Sequence, residues 1–158
     1  LLIVLIFNTI YHNKMNKMNK IIEENKVYYY KQNVSLQEYK LHAYIYDLGI
    51  VNIPKIVEYN KNTKVMKLVR VGISNISNYY GESPENISNE LFSKIRKIIQ
   101  TLYDHDIEYI DITGYNFIEN ANKIWIIDFK YAKYNPDIKN EFVNKFLQGN
   151  NLWNPEFR

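Results

Sequence analysis

The stretch YIDITGYNFI, residues 109–118, constrains this chain more than any other. It is an apolar and aromatic run broken by Asp111, Thr113 and Asn116. Such a run is drawn into a core, and a carboxylate drawn in with it is costly unless it meets a cation, a metal or hydrogen-bond donors. The fold must therefore deliver a partner to Asp111 from elsewhere. Asp111 and Asn116 stand five positions apart. In a strand, residues of opposite parity point to opposite faces, so a strand would separate them and a loop would not. Shortly after comes WIIDF, residues 125–129, in which a second carboxylate, Asp128, closes another apolar run.

At 158 residues the chain fits a single domain on a scale of roughly 150 residues per domain. Its 46% hydrophobic and 23% charged content is that of a globular protein rather than a disordered one. With no cysteine, disulfides and thiolate metal sites are excluded, and we expect a reducing, cytoplasmic setting. The net charge of +3 is spread along the sequence, which reads as a mixed-sign surface without a nucleic-acid-binding motif. The opening LLIVLIF is apolar, but a membrane span needs about 20 residues, so no span is expected. Residues 1–14 read as a non-native extension, with the natural start at Met15 or Met18.

The remainder, 15–158, reads as one α+β domain in two small lobes, about 20–72 and about 82–158. The aromatic segment KVYYYKQ (26–32) predicts a strand. Ser35 followed by Glu38 makes a capping box, Leu41, Ile45 and Leu48 recur at helical spacing, and Gly49 is a natural stop, so 33–50 predicts a helix. Residues 52–60 and 64–71 predict a hairpin, and 72–86 a polar connector between the lobes. The stripe Ile87, Leu91, Ile95, Ile98 and Leu102 predicts a long amphipathic helix over 86–107, followed by a second hairpin and at most one short helix. There is too little βα alternation for a parallel sheet.

Phosphoryl transfer asks little covalent chemistry of a protein. It asks for a lysine on the nucleotide phosphates, an acid to hold that lysine, oxygen ligands for Mg²⁺ and a carboxylate beside the acceptor hydroxyl. Lys31, Glu38, Asp111, Asn116 and Asp128 occur in the order in which the protein-kinase signature set places these groups. The catalytic loop DITGYN and the helix EYKLHAYIYDLGIVNIP resemble those of RIO-type atypical protein kinases, and IIDF resembles their metal-binding Asp-Phe motif; the resemblance covers roughly residues 26–134.

The resemblance implies a minimal two-lobed protein-kinase-like fold with a truncated C-lobe, and an ATP- and Mg²⁺-dependent serine/threonine kinase that acts on an unidentified protein or on itself. It implies that Lys31 holds the α/β-phosphates, Glu38 orients Lys31, Asp111 accepts the acceptor's proton, and Asn116 and Asp128 bind Mg²⁺. Met66 would back the adenine pocket, with Lys67, Leu68 and Val69 beginning the hinge. This sequence departs from the kinase pattern in three places. No glycine-rich loop precedes Lys31, Tyr109 and Ile110 stand before Asp111 instead of His-Arg, and Lys130 replaces the glycine after Asp-Phe.

Each residue also has a plainer reading. Lys31 could be a surface lysine, Glu38 a capping residue, and Asp111 and Asn116 turn formers. The departures suit a pseudokinase or nucleotide-binding module acting through a partner, and the Asp…Asn…Asp layout also suits a small-molecule kinase. No zinc-ligand spacing and no nucleophile elbow are present.

Overall fold

The computed structural model describes residues 27–136 and 139–157. The segment read as an extension, and the glycine-free residues up to Lys26, lie outside them. Among the described residues, β1 (Tyr28–Lys31), α1 (Leu36–Leu48), β2 (Ile56–Asn60) and β3 (Val65–Val69) come first in the chain. The three strands form one antiparallel sheet in the order β1-β3-β2. Lys31 is the last residue of β1 and stands opposite Met66 in β3. The chain then turns through Asn33, at φ 57°, into α1.

Both ends of α1 follow from the sequence. Ser35 Oγ accepts the Glu38 N–H at 3.0 Å, and Gly49, at φ 63°, sends its N–H back to Ile45 O and Tyr46 O. The helix joins two cores. Tyr39 packs with Val34, Met66 and Leu68 under the sheet, while Leu41 and Ile45 belong to the main core with the second half of the chain.

That second half is organised by α3 (Asn89–Asp104), capped by Ser88 and burying Leu91, Phe92, Ile95, Ile99 and Leu102. Of the predicted stripe, Ile98 is partly buried against this core. The segment 72–86, expected as a plain connector, contains the short helix α2 (Ile76–Tyr80) and a 3₁₀ turn at Pro84–Asn86. Local caps explain both: Asn75 Oδ1 accepts from Asn78 N at 2.8 Å, and Ser83 Oγ accepts from Glu85 N at 3.4 Å. After α3 come β4 (Ile107–Glu108), β5 (Phe117–Asn120), β6 (Lys123–Ile126), β7 (Lys133–Tyr134) and α4 (Glu141–Leu147). β5 pairs antiparallel with β6, and β4 with β7. No described helix is long and apolar enough to cross a membrane.

Candidate active site

Residues 109–116 form a loop between β4 and β5, as the parity argument requires. Tyr109 and Ile112 anchor it in the core. Two tight turns, Ile112 N–H to Ile110 O at 2.9 Å and Thr113 N–H to Asp111 O at 3.0 Å, carry the backbone around Asp111. Asn116 then ties the loop shut: its Nδ2 donates to Asp111 O at 2.9 Å, and its own carbonyl accepts the Ile127 N–H at 3.0 Å. The last bond fastens the loop to the residue before Asp128.

A further brace on this loop comes from the C-terminal tail. Asn154, buried at 1% exposure, donates from Nδ2 to Ile110 O at 2.7 Å and from its backbone N–H to Ile112 O at 2.9 Å. The only sequence signal was an Asn-Pro pair in an apolar tail, which reads as an ordinary turn.

Lys31 reaches two carboxylates at once. Its Nζ contacts Glu38 Oε1 and lies 2.7 Å from Asp128 Oδ1. Three residues from β1, α1 and the end of the β5–β6 hairpin are thus joined. Glu38, 4% exposed, keeps its capping backbone bond to Ser35 while its carboxylate turns to Lys31. Asp128 Oδ1 also accepts the Lys130 N–H at 2.8 Å, so the residue in place of glycine closes a turn around the carboxylate.

The ring after Asp128 is clamped. Phe129 is buried, with His42 of α1 meeting it nearly edge-on at 5.3 Å and Tyr109 at 5.8 Å. His42 stands one helical turn beyond Glu38, so α1 presents a carboxylate and an imidazole on one face toward the Lys31–Asp128 contact. His42 Nε2 bonds to Pro54 O at 2.7 Å, and burial holds the imidazole below its ordinary 6.5. His42 was not among the residues predicted from sequence, because a lone histidine on an apolar helix face reads as core.

Burial pushes the Asp111 carboxyl above its ordinary 3.8; bonds from Asn116 and Thr113 oppose this, and the charge of Asp128 reinforces it. Thr113 Oγ1 donates to Asp111 Oδ1 at 3.3 Å. Asp111 is therefore half-buried and a stronger proton acceptor than a free aspartate.

A cavity of about 180 Å³ lies between the three-stranded sheet and the β5–β6 hairpin, with Leu68, Val69, Ile118 and Ile127 in its walls. Of the predicted hinge residues, Leu68 and Val69 line it. Met66, on the same face of β3 as Leu68, is buried with it in the core under the sheet, and Lys67 points to the opposite face, 4.2 Å above the Tyr28 ring and 5.4 Å from Tyr30. The N–H groups of Val69 and Arg70 are spent on Lys55 O and Val27 O.

A family model for the RIO domain matches residues 6–145. The chain belongs to the RIO domain family. The fold of this RIO domain is similar to that of the Cydia pomonella Granulovirus kinase, PK-1, with a TM-score of 0.51 at 10% identity. The match covers 76% of this chain and 57% of that one, so the chain spans little more than half the length of the viral kinase. No curated protein matches the sequence. The RIO domain thus has a protein-kinase-like α+β fold.

Magnesium demands few protein ligands: one or two carboxylates plus substrate phosphates and water suffice. Among the described residues no cluster of three or more His, Asp or Glu side chains offers a metal cage. The present residues still fit the more modest demand. Asn116 spends its Nδ2 on Asp111 O, so its amide oxygen would be the atom to face a metal, and Asp128 would add a carboxylate.

Proposed function

We propose that this RIO domain transfers the γ-phosphoryl group of ATP to a hydroxyl, most simply a serine or threonine hydroxyl on a protein or on the chain itself. The convergence of Lys31, Glu38 and Asp128 carries the reading, because a buried glutamate and a half-buried aspartate share one lysine drawn from a different element. In this reading Lys31 pairs with the nucleotide phosphates while Glu38 keeps its ammonium in place. Asn116 and Asp128 would hold Mg²⁺, which supplies charge neutralisation at the phosphates. Asp111 accepts the acceptor's proton as the hydroxyl oxygen bonds to the γ-phosphorus. The bond from that phosphorus to the bridging oxygen breaks with its electron pair, and ADP departs. The base lies in the cavity lined by Leu68, Val69, Ile118 and Ile127. A cysteine-free chain of this kind is suited to the cytoplasm.

The test is incubation with labelled ATP and candidate acceptors beside an Asp128→Ala control. Label transfer above the control supports the reading; equal label and no ATP binding removes it.

The turn that Lys130 closes on Asp128 favours one alternative, a nucleotide-binding module without transfer. A thermal shift with Mg-ATP that Lys31→Ala abolishes, in the absence of label transfer, would select it.

A further inference from the structure

We infer that Tyr29 is the residue on which the nucleotide base stacks, so that this site reads its ligand by an aromatic face as well as by phosphate charge. The inference rests on the nucleotide reading above and adds the means by which the base is recognised. The three consecutive tyrosines of β1 are not equivalent. Tyr28 and Tyr30 stand on the face where Lys67 lies over both rings. Tyr29, between them, points to the other face, which it shares with Lys31 two residues on. Lys31 is the residue that meets Glu38 and Asp128 on that face. Tyr29 therefore stands one strand repeat, about 6.6 Å, from the charged end of the same cleft.

Its partner across the ladder is Leu68, and both side chains line the cavity of about 180 Å³. The opposite wall comes from Ile118 of β5 and Ile127, the residue before Asp128. The cavity thus has an aromatic ring and an aliphatic side chain from the sheet facing Ile118 and Ile127, with Arg70, Asn75 and Asn78 also in its lining. A slot of that composition suits a flat heteroaromatic ring. Yet Tyr29 is 55% exposed, and among the described residues no ring packs on it. A large apolar ring left half-exposed inside a cleft gains most from a ligand that covers it. A purine, having the wider π-face, gains more from such a surface than a pyrimidine.

The test compares binding of Mg-ATP with that of Mg-tripolyphosphate, which carries phosphate charge without a base. Titration calorimetry on the wild type, Tyr29→Phe and Tyr29→Ala reads both. Stacking predicts that Tyr29→Ala weakens ATP roughly 5- to 100-fold and leaves tripolyphosphate unchanged, while Tyr29→Phe retains the wild-type ratio. If Tyr29→Ala binds ATP as the wild type does, or weakens both ligands equally, or if Tyr29→Phe behaves like Tyr29→Ala, the inference fails and the phosphate site stands. A wild type that binds tripolyphosphate as tightly as ATP also refutes base stacking alone. A wild type that binds neither removes the nucleotide reading with it.

Discussion

Lys31 Nζ lies 2.7 Å from Asp128 Oδ1, joining the last residue of the first strand to the carboxylate that ends the second hairpin. The same ammonium holds Glu38, whose side chain is 3% exposed against 13% for Lys31. The lysine is thus what makes burial of Glu38 tolerable, and a metal at Asp128 would have to share the carboxylate with it or release it toward phosphate. Replacing Lys31 by Met leaves Glu38 buried without its cation. We expect a loss of about 3 kcal/mol in urea denaturation, at the lower end of the range for breaking buried pairs because solvent still reaches Lys31. The double variant Lys31→Met/Glu38→Gln should recover more than half of that loss. A double variant no more stable than Lys31→Met would show that Glu38 is held by something else.

Asp111 carries a cost that its amide would not. Its folded carboxyl titrates above the ordinary 3.8, chiefly because it is buried, so the folded form holds the proton more tightly than the unfolded form. Its contribution to stability is therefore fully present below 3.8 and declines as pH rises toward the folded value. Asp111→Asn should be more stable than the wild type at pH 7, with the difference shrinking in acid and vanishing below the ordinary carboxylate range. The same variant should lose roughly 10²- to 10⁴-fold in transfer rate if Asp111 is the proton acceptor. Melting temperatures across pH and single-turnover rates check the two halves separately.

Gly114 allows α2 to approach the loop that carries Asp111. A Cβ there would collide with Ser77 Oγ, sit 3.1 Å from Ser77 N and lie 3.3 Å from the Trp153 ring. The cost of a side chain is one of space alone, since no left-handed backbone is involved. Gly114→Ala should destabilise by about 1–3 kcal/mol through overpacking. Ser77→Ala in the same chain removes the worst clash and should restore most of the melting temperature. Failure of that rescue would mean that the backbone of α2, rather than the hydroxyl, sets the spacing.

The order of elements was legible in the sequence because each carries a local cause: Ser35 and Gly49 bound α1, and the periodic isoleucines and leucines define α3. The loop character of 109–116 was legible from the polar residues that break its apolar run together with the order of Asp111, Asn116 and Asp128 in the chain. Lys31 and Glu38 were visible as a pair only through their order in the chain, since nothing local distinguishes the glutamate from a capping residue, and in the structure it keeps that capping bond as well. Met66 was expected behind the adenine pocket and Lys67 at the start of the hinge. In β3, Met66 shares the face of Leu68 and Lys31 but is wholly buried beside Val34, while the Lys67 side chain turns to the outer face, and which strand face meets the cleft depends on a register that one strand's sequence does not encode. His42 and Asn154 act through ring packing and through bonds to backbone 12 and 44 residues away, and neither leaves a spacing signature.

His42 gives the clamp on Phe129 a dependence on pH. Its Nε2 donates to Pro54 O in the neutral form, and burial keeps the folded imidazole below the ordinary 6.5, with nearby Lys31 acting in the same sense and Asp128 against it. The unfolded chain takes up a proton near 6.5 while the folded chain resists it. Stability from this residue is therefore complete above 6.5 and is lost as pH falls below it, with a slope of at most about 1.4 kcal/mol per pH unit. His42→Gln offers an N–H for Pro54 O without a titrating group, so it should cost some ring packing on Phe129 yet flatten the decline between neutral pH and about pH 5. Denaturant midpoints of both proteins at several pH values decide the matter. Parallel declines would mean that His42 is not the group that titrates, and that acid acts instead on the carboxylates gathered around Lys31.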